Sequence, residues 1–185
     1  RVRVHGGDSF SSKMAEEKTI TGECYCGKIK FRVKSKGPAM SLYCHCLDCR
    51  RAHGAPVYFV QNFRTDEFEY TEGEGLVQKL RNVKHPEREF DRNYCSACGT
   101  RITNTMSIPE MPLPPMPAEL GDMFKPGSYV GAFPALYDEM PVGDAWKPKV
   151  HVWTSEAVVP IECFKDGLPK HTKFPGFAPD NETFV

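Results

Sequence analysis

The sequence predicts a mainly β fold, and three observations support that prediction. The chain has 185 residues, a length that suits one domain with a hydrophobic core of its own. Short segments that alternate apolar and polar side chains recur along it, separated by glycine and proline turns. Helical periodicity is weak except in two short stretches. Many short strands without long helices are typical of β-sheet domains.

The clearest predicted strand covers residues 28–34. Ile29, Phe31 and Val33 are apolar, and every residue beside them is lysine or arginine. Strict alternation has the period of a strand with one buried face and one solvent-exposed face. A Gly-Pro pair follows shortly and ends the segment.

Weaker patterns predict the remaining elements. The first strand is expected at 19–21, just before the first cysteines. Further strands are expected at 57–60, 67–70, 76–80, 89–94, 150–153 and 160–164. The two helices are expected to be short, at 46–53 and 117–123.

The predicted domain covers residues 18–178. Residues 1–17 are interpreted as a disordered tail or the remnant of an expression tag, with the native start at Met14, and residues 179–185 as a C-terminal tail. Residues 106–148 contain nine prolines, which remove backbone hydrogen-bond donors and interrupt helices and strands. We expect a long surface excursion there. The alternative is a lid or wall over a site, because long loops in compact domains are often functional.

Composition argues against two classes of function. Lys+Arg and Asp+Glu are both 24, so the formal net charge is zero, whereas a nucleic-acid binder usually has a basic excess. No apolar run approaches the roughly 18 residues of a membrane helix. Residues 1–13 lack the apolar middle of a signal peptide, so we expect a cytoplasmic, reducing location in which disulfides are rare. The eight cysteines then indicate metal binding or catalysis.

Seven of the eight cysteines fall in three groups. The groups are Cys24-x-Cys26, Cys44-x-Cys46-x-x-Cys49 and Cys95-x-x-Cys98. Gly27 and Gly99 follow the two pairs and allow the tight chain reversal that brings two sulfurs to one ion. Thiolates are soft ligands, and four of them in a tetrahedron are a common structural zinc site. The groups therefore predict zinc.

Spacing alone leaves two ways to divide these seven ligands. In the first, Cys46 and Cys49 of the central group join the last group, and three cysteines are left over. In the second, the first and last groups form one closed site, and the central group forms a three-thiol site of its own. The second division uses every ligand and ties an early strand to a late one.

Three segments resemble the signature segments of a known family. They are GECYCGKIKF (22–31), CHCLDCRRAHGAP (44–56) and NYCSACGT (93–100), and all three have its cysteine spacing. The family is that of the glutathione-dependent formaldehyde-activating (GFA) enzymes, also called the centromere-protein-V-type domain. The resemblance covers about residues 18–104, and two later segments, KPKVHVWTSE (147–156) and FKDGLPKH (164–171), are more loosely similar.

The resemblance implies a fold and two metal sites. The fold would be Mss4-like, built of small β-sheets that are held together by a structural zinc with four cysteine ligands. The ligands of that zinc would be Cys24, Cys26, Cys95 and Cys98. A second zinc, with an open position, would be bound by the catalytic Cys44, Cys46 and Cys49, which makes two zinc ions per chain.

The resemblance also implies a reaction. It predicts a zinc-dependent carbon–sulfur lyase similar to S-(hydroxymethyl)glutathione synthase, with glutathione as a co-substrate. A zinc-bound thiolate would add to a small carbonyl or be released from the adduct, and a zinc with three thiolates suits a fourth sulfur. Two alternatives stay open. One is a different lyase-type reaction in a specialised pathway, with a pocket remodelled by residues 106–148. The other is a non-catalytic binding module that zinc holds together.

Residues near the central cysteines are candidates for substrate binding. Arg50 and Arg51 follow the group and could clasp a carboxylate, and His53 could act as a donor or proton shuttle beside the metal. His45 lies between two ligands and should point away from the metal. Cys163, the eighth cysteine, is interpreted as a buried apolar thiol. The expected partner is a small-molecule thiol or thiol adduct, with neither nucleic acid nor membrane.

Overall fold

Two β-sheets account for most of the computed structural model, which describes residues 16–81, 83, 90–110, 120 and 125–175. Over these residues the strands are β1 (Lys18–Glu23), β2 (Lys30–Ser35), β3 (Met40–Cys44), β4 (Tyr58–Arg64), β5 (Phe68–Glu72), β6 (Val77–Arg81), β7 (Phe90–Cys95), β8 (Arg101–Ile108), β9 (Gly127–Ala132) and β10 (Val150–Val152). A helix, α1 (Leu47–His53), and several single turns of 3-10 helix connect them. The predicted mainly β fold is confirmed.

The smaller sheet is antiparallel and has the order β1-β2-β5. The alternation seen in the sequence determines its two faces. Phe31 and Val33 are buried, and Arg32 between them pairs with Glu69 on the exposed face. Because exposed ion pairs contribute little to stability, burial of the apolar face holds this sheet in place.

The larger sheet has the order β10-β3-β4-β9-β8-β7-β6 within the described chain. Its strands pair antiparallel, except for β10 and β3, which run parallel. One buried cluster contains side chains from both sheets, among them Phe31, Phe63, Ile102 and Trp146, and it joins the sheets. A second buried cluster surrounds the central cysteines next to α1. The candidate site therefore lies inside the second cluster.

One predicted strand, at 160–164, is wrong. Ile161–Cys163 is a single turn of 3-10 helix, in which the N–H of Cys163 donates to the carbonyl of Pro160 at 3.0 Å. Pro160 has no N–H for a strand ladder, so a local turn forms instead. The other predicted strands form, and the helix predicted at 46–53 is confirmed as α1. The helix predicted at 117–123 lies outside the described residues except for position 120, and the predicted tails lie outside them except for positions 16 and 17.

Three strands, β3, β8 and β9, were not predicted. β9 falls within the proline-rich segment 106–148, yet it pairs with β4 on one side and β8 on the other. The expected surface excursion therefore does not describe residues 127–132, which lie inside the larger sheet. Residues 111–119 and 121–124 of the same segment are outside the described chain.

Candidate metal centres

Four cysteines meet where the turn after β1 approaches the turn after β7. They are Cys24, Cys26, Cys95 and Cys98, here called the four-cysteine cluster, and their sulfurs all lie within 4.8 Å of one another. Gly27 and Gly99 have φ values of 71° and 75°, and their N–H groups donate to the carbonyls of Cys24 and Cys95. Glycine adopts this left-handed conformation without strain, so each turn closes tightly around its two sulfurs.

The four-cysteine cluster joins the two sheets, since β1 and β2 belong to the smaller sheet and β7 and β8 to the larger. The backbone N–H of Tyr25 donates to Oγ1 of Thr100 at 3.2 Å, and the sulfur of Cys98 lies 3.2 Å from the same hydroxyl. The side chain and the backbone of Thr100 lower the pKa of the Cys98 thiol to about 6. This favours the thiolate, which is the form that binds a metal.

The central cysteines form the second group, here called the three-cysteine cluster. Cys44 ends β3, Cys46 is the N-cap residue of α1, and Cys49 lies in the first turn of that helix. All three are buried, and their sulfurs lie within 4.8 Å of one another. In the part of the chain that the structure describes, no further His, Cys, Asp or Glu completes this group. The structure thus brings the seven cysteines together in the second of the two divisions.

Negative charge concentrates on Cys46. Hydrogen bonds from the thiols of Cys44 and Cys49 lower its pKa to about 3 against the opposing effect of burial, and the N–H of Cys49 donates to the same sulfur at 3.3 Å. The same contacts, together with burial, raise the pKa of Cys44 well above its usual value. A buried, all-sulfur donor set with a readily ionised member suits Zn²⁺ and does not suit Mg²⁺ or Ca²⁺, which require oxygen ligands. Both clusters therefore fit zinc.

A chain of hydrogen-bonded polar side chains starts at the buried His45, between Cys44 and Cys46, and ends at the partly exposed Asp166. Nε2 of His45 lies 2.8 Å from Nδ1 of His151, and Nε2 of His151 lies 2.7 Å from Oδ2 of Asp166. An ionised carboxylate can only accept, so Nε2 of His151 carries a proton and donates to Asp166. Nδ1 of His45 is buried and has no hydrogen-bond partner. His45 is thus engaged away from the three-cysteine cluster, as expected, and His151 joins it to Asp166.

His53 ends α1 against the larger sheet. Its ring stacks on Tyr58 with the ring centroids 4.2 Å apart. Burial first, and then the charges of Arg92 and Arg101, lower the pKa of His53 to about 4, so the ring is neutral at pH 7. Its Nε2 is buried and has no hydrogen-bond partner. His53 therefore has one buried ring nitrogen available to a ligand.

Tyr58 lies between this ring and the three-cysteine cluster. Its hydroxyl oxygen accepts a hydrogen bond from Nδ2 of Asn104 at 2.7 Å. Burial, followed by the charge of Cys49, raises its pKa well above the usual value. The hydroxyl therefore stays protonated, and its proton points away from the bond with Asn104.

The arginines predicted from the sequence lie on the helix surface. Arg51 is exposed, and Arg50 is half-buried with its Nε donating to the carbonyl of His45 at 3.2 Å. The guanidinium groups whose charges act on His53 are instead those of Arg92 on β7 and Arg101 on β8. A role for Arg50 and Arg51 in substrate binding stays a prediction.

Trp153 has an unusual backbone next to this site. It directly follows β10 and has a φ of 58°, the single positive value outside glycine in the described chain. Its side chain is buried in the same cluster as the three cysteines, and its Nε1 has no hydrogen-bond partner. Strained residues of this kind cluster at functional sites, which adds Trp153 to the candidate residues.

Sequence reasoning missed several of these residues and misplaced one. Tyr58, Arg92, Arg101 and Asp166 have no spacing that marks a motif, and only the folded chain brings them to the site. Cys163 is exposed, contrary to the expected buried thiol, because its segment forms a 3-10 turn rather than a strand. Its location outside both clusters leaves seven cysteines for metal binding.

A family model described as "Glutathione-dependent formaldehyde-activating enzyme" matches residues 19–116, just over half of the chain. Among solved structures, the chain is similar to a protein of Rhodobacter sphaeroides whose crystal structure was determined as a structural genomics target. The two share 16% sequence identity and a TM-score of 0.44, and the match covers 69% of this chain and 96% of that one. No curated protein matches the chain. Among the described residues, no helix has the length and apolar character needed to cross a membrane.

Proposed function

The chain belongs to the glutathione-dependent formaldehyde-activating enzyme family, and on this premise we propose that it is a zinc-dependent carbon–sulfur lyase that makes or breaks the adduct of a thiol with a small carbonyl compound. The observation that supports this most is the three-cysteine cluster, whose buried sulfurs have no fourth ligand in the described chain. A tetrahedral ion held by three thiolates keeps one position for a substrate.

Cys44, Cys46 and Cys49 would hold the zinc, which when bound supplies a Lewis acid that lowers the pKa of a substrate thiol and orients its sulfur. The fold positions these ligands from two sides, because one ends a strand and the other two belong to the first turn of α1. Burial of all three keeps bulk water away from the reacting atoms. The bond from Arg50 to the carbonyl of His45 fixes the segment between the ligands.

The bond changes balance without a further co-reactant. In the synthetic direction a sulfur–carbon bond forms, the carbonyl π bond breaks, and the proton lost by the thiol ends on the carbonyl oxygen. The lyase direction reverses these steps. Tyr58 is suited to the oxygen, because its hydroxyl stays protonated and its own oxygen is already occupied by Asn104.

The proposal is tested by two-dimensional NMR exchange spectroscopy, which measures the rate of exchange between free glutathione and its formaldehyde adduct. Such adducts form spontaneously, so the quantity of interest is the rate above the uncatalysed one. Zinc-loaded protein should raise that rate, and Cys46→Ser should lose one zinc ion and the enhancement with it. The matched control is Cys163→Ser, an exposed cysteine outside both clusters, which should keep both. Unchanged zinc content and rate in Cys46→Ser would rule the proposal out.

A further inference from the structure

Two arginines lie in an unusual environment beside the three-cysteine cluster. Arg92 on β7 is only 6% exposed, and Arg101 on β8 is half-buried. One terminal nitrogen, Nη1, of each guanidinium is buried without a hydrogen-bond partner. No acidic side chain among the described residues forms an ion pair with either arginine. Each guanidinium lies over an aromatic ring, Arg92 over Phe90 at 5.0 Å and Arg101 over Tyr94 at 5.1 Å, but a ring face does not replace the hydrogen bond that each buried Nη1 lacks.

The sheet register and α1 bring the two guanidinium groups to one place. Arg92 lies directly opposite Asn104 in the pairing of β7 with β8, and Asn104 is bonded to the hydroxyl of Tyr58. Arg101 contacts the helix, where its Nε donates to the carbonyl of Ala52 at 3.1 Å. The next residue of the helix is His53, whose ring is stacked on Tyr58. Both arginines thus adjoin the same His53–Tyr58 pair.

Electrostatic effects agree with this placement. The charges of both arginines act on His53, and the charge of Arg92 also acts on Tyr58 and Cys49. Arg92 therefore offsets part of the negative charge of the three-cysteine cluster. Charge compensation of the thiolates explains neither the unpartnered Nη1 atoms nor the presence of Arg101. The unpartnered Nε2 of His53 adds a third buried polar atom at the same place.

We propose that Arg92 and Arg101 form a subsite for a carboxylate of the substrate, adjacent to the three-cysteine cluster. Guanidinium groups bind carboxylates through paired, charge-assisted hydrogen bonds, and a ligand carboxylate would satisfy the free Nη1 atoms. The proposal rests on the proposed function in one respect, because it makes the substrate a carboxylate-bearing thiol adduct. The carboxylate can come from the thiol or from the carbonyl compound.

Binding of matched ligand pairs to the zinc-loaded protein tests this subsite. The first pair, 3-mercaptopropionate and 3-mercaptopropionamide, differs in the thiol partner only by the carboxylate. The second pair, glyoxylate and formaldehyde, each added with 2-mercaptoethanol, places the carboxylate on the carbonyl compound instead. Dissociation constants from isothermal titration calorimetry give a carboxylate preference for each pair, and they do not depend on turnover.

We expect a carboxylate preference of about 10- to 100-fold in one of the two pairs, and the pair that shows it identifies the source of the carboxylate. Arg92→Met should remove most of this preference. Arg101→Met is the second variant, which keeps the test valid if Arg92→Met fails to fold. Arg92→Lys keeps the charge but lacks the planar guanidinium group that binds a carboxylate through two hydrogen bonds, so it should retain part of the carboxylate preference. Arg32→Met, an arginine of the smaller sheet paired with Glu69, is the matched control and should retain all of it.

The subsite is overturned if neither pair shows a preference, or if the preference survives in both Arg92→Met and Arg101→Met. Those outcomes leave the proposed function intact, provided that the thiols bind and exchange is catalysed. The experiment also distinguishes the opposite case, in which the subsite exists and the lyase reaction does not. A preference that depends on Arg92, in a protein that catalyses no exchange, would support the subsite and contradict the lyase reaction.

Discussion

His151 is fully buried and uses both of its ring nitrogens, one toward His45 and the other toward Asp166. Burial alone would raise the pKa of Asp166, but hydrogen bonds from His151, Lys170 and the N–H of Leu168 hold it well below its usual value. The carboxylate is therefore ionised at neutral pH and holds a proton on Nε2 of His151. Because His45 separates two members of the three-cysteine cluster, this chain of side chains stabilises the position of the ligands.

Asp166→Asn should lower the free energy of unfolding at pH 7 by about 1–2 kcal/mol. A hydrogen bond to a charged group contributes about 1.5–3 kcal/mol, and the partial exposure of Asp166 reduces that figure. Its folded-state pKa is depressed, so the stabilisation is complete above roughly pH 4, the pKa of an unfolded aspartate, and is lost as the pH falls further. Urea unfolding of both proteins at several pH values measures the difference.

Asp144→Asn is the control for this measurement. Asp144 pairs with Lys147 in an exposed ion pair, so its substitution should change the stability by less than about 0.5 kcal/mol. Equal, small changes in the two variants at pH 7 would show that the bond between Asp166 and His151 contributes nothing to stability.

At the scale of single elements, β9 determines how much room the site has. Gly131 of β9 lies between Asn62 of β4 and Asn104 of β8 in the sheet. A Cβ atom at this position would lie 3.0 Å from both Oδ1 of Asn62 and Cγ2 of Val60, and 3.6 Å from Cβ of Asn104. The absence of a side chain at Gly131 therefore leaves space for Asn62 and Val60 of β4, the strand that also carries Tyr58.

Gly131→Val should destabilise the protein by about 1–3 kcal/mol, because added methyl groups at a packed position force neighbouring side chains to shift. Ser128→Val, on an exposed position of the same strand, should change the stability by less than about 0.5 kcal/mol. Chemical unfolding of both variants gives the comparison. Equal tolerance of valine at the two positions would mean that this segment is a surface loop, as the prolines suggested.

The contrast between β2 and β3 shows why some strands are easier to predict than others. β2 alternates because its charged side chains face solvent, whereas every β3 residue except Tyr43 is buried and its sequence shows no alternation. In β8 the buried side chains include Thr103 and Asn104, whose partners are polar side chains on other strands. Polar residues of this kind indicate a loop in the sequence, and only the paired strands reveal their hydrogen-bond partners.

The candidate site likewise has one part that the sequence could predict and another part that only the folded chain reveals. The cysteine spacing is local, so the seven candidate metal ligands could be named before the fold was known. Arg92 and Arg101 reach α1 through the pairing of β7 with β8, and Asp166 reaches His151 across a loop. No local pattern encodes such contacts, which explains why the sequence favoured Arg50 and Arg51, the arginines nearest along the chain.

At the scale of the whole molecule, the two cysteine clusters should differ in what they stabilise. The four-cysteine cluster links a turn of the smaller sheet to a turn of the larger one. The three-cysteine cluster draws all of its members from one stretch of ten residues or fewer, between β3 and α1. A metal that joins distant segments adds its binding free energy to folding, whereas a local site does so far less.

Cys95→Ser should therefore cost more stability than Cys46→Ser, although each variant loses one zinc ion and each replaces a buried cysteine. A bridging zinc contributes several kcal/mol, so we expect Cys95→Ser to lower the Tm by more than about 10 °C, or to prevent folding altogether. Cys46→Ser should keep the folded structure with a smaller decrease. Zinc content by mass spectrometry and thermal unfolding by circular dichroism measure both effects.

Graded chelation of the wild type should remove the zinc of the three-cysteine cluster first, without unfolding. If Cys46→Ser were the less stable variant, or if the first zinc removed unfolded the chain, the four-cysteine cluster would not be the structural site.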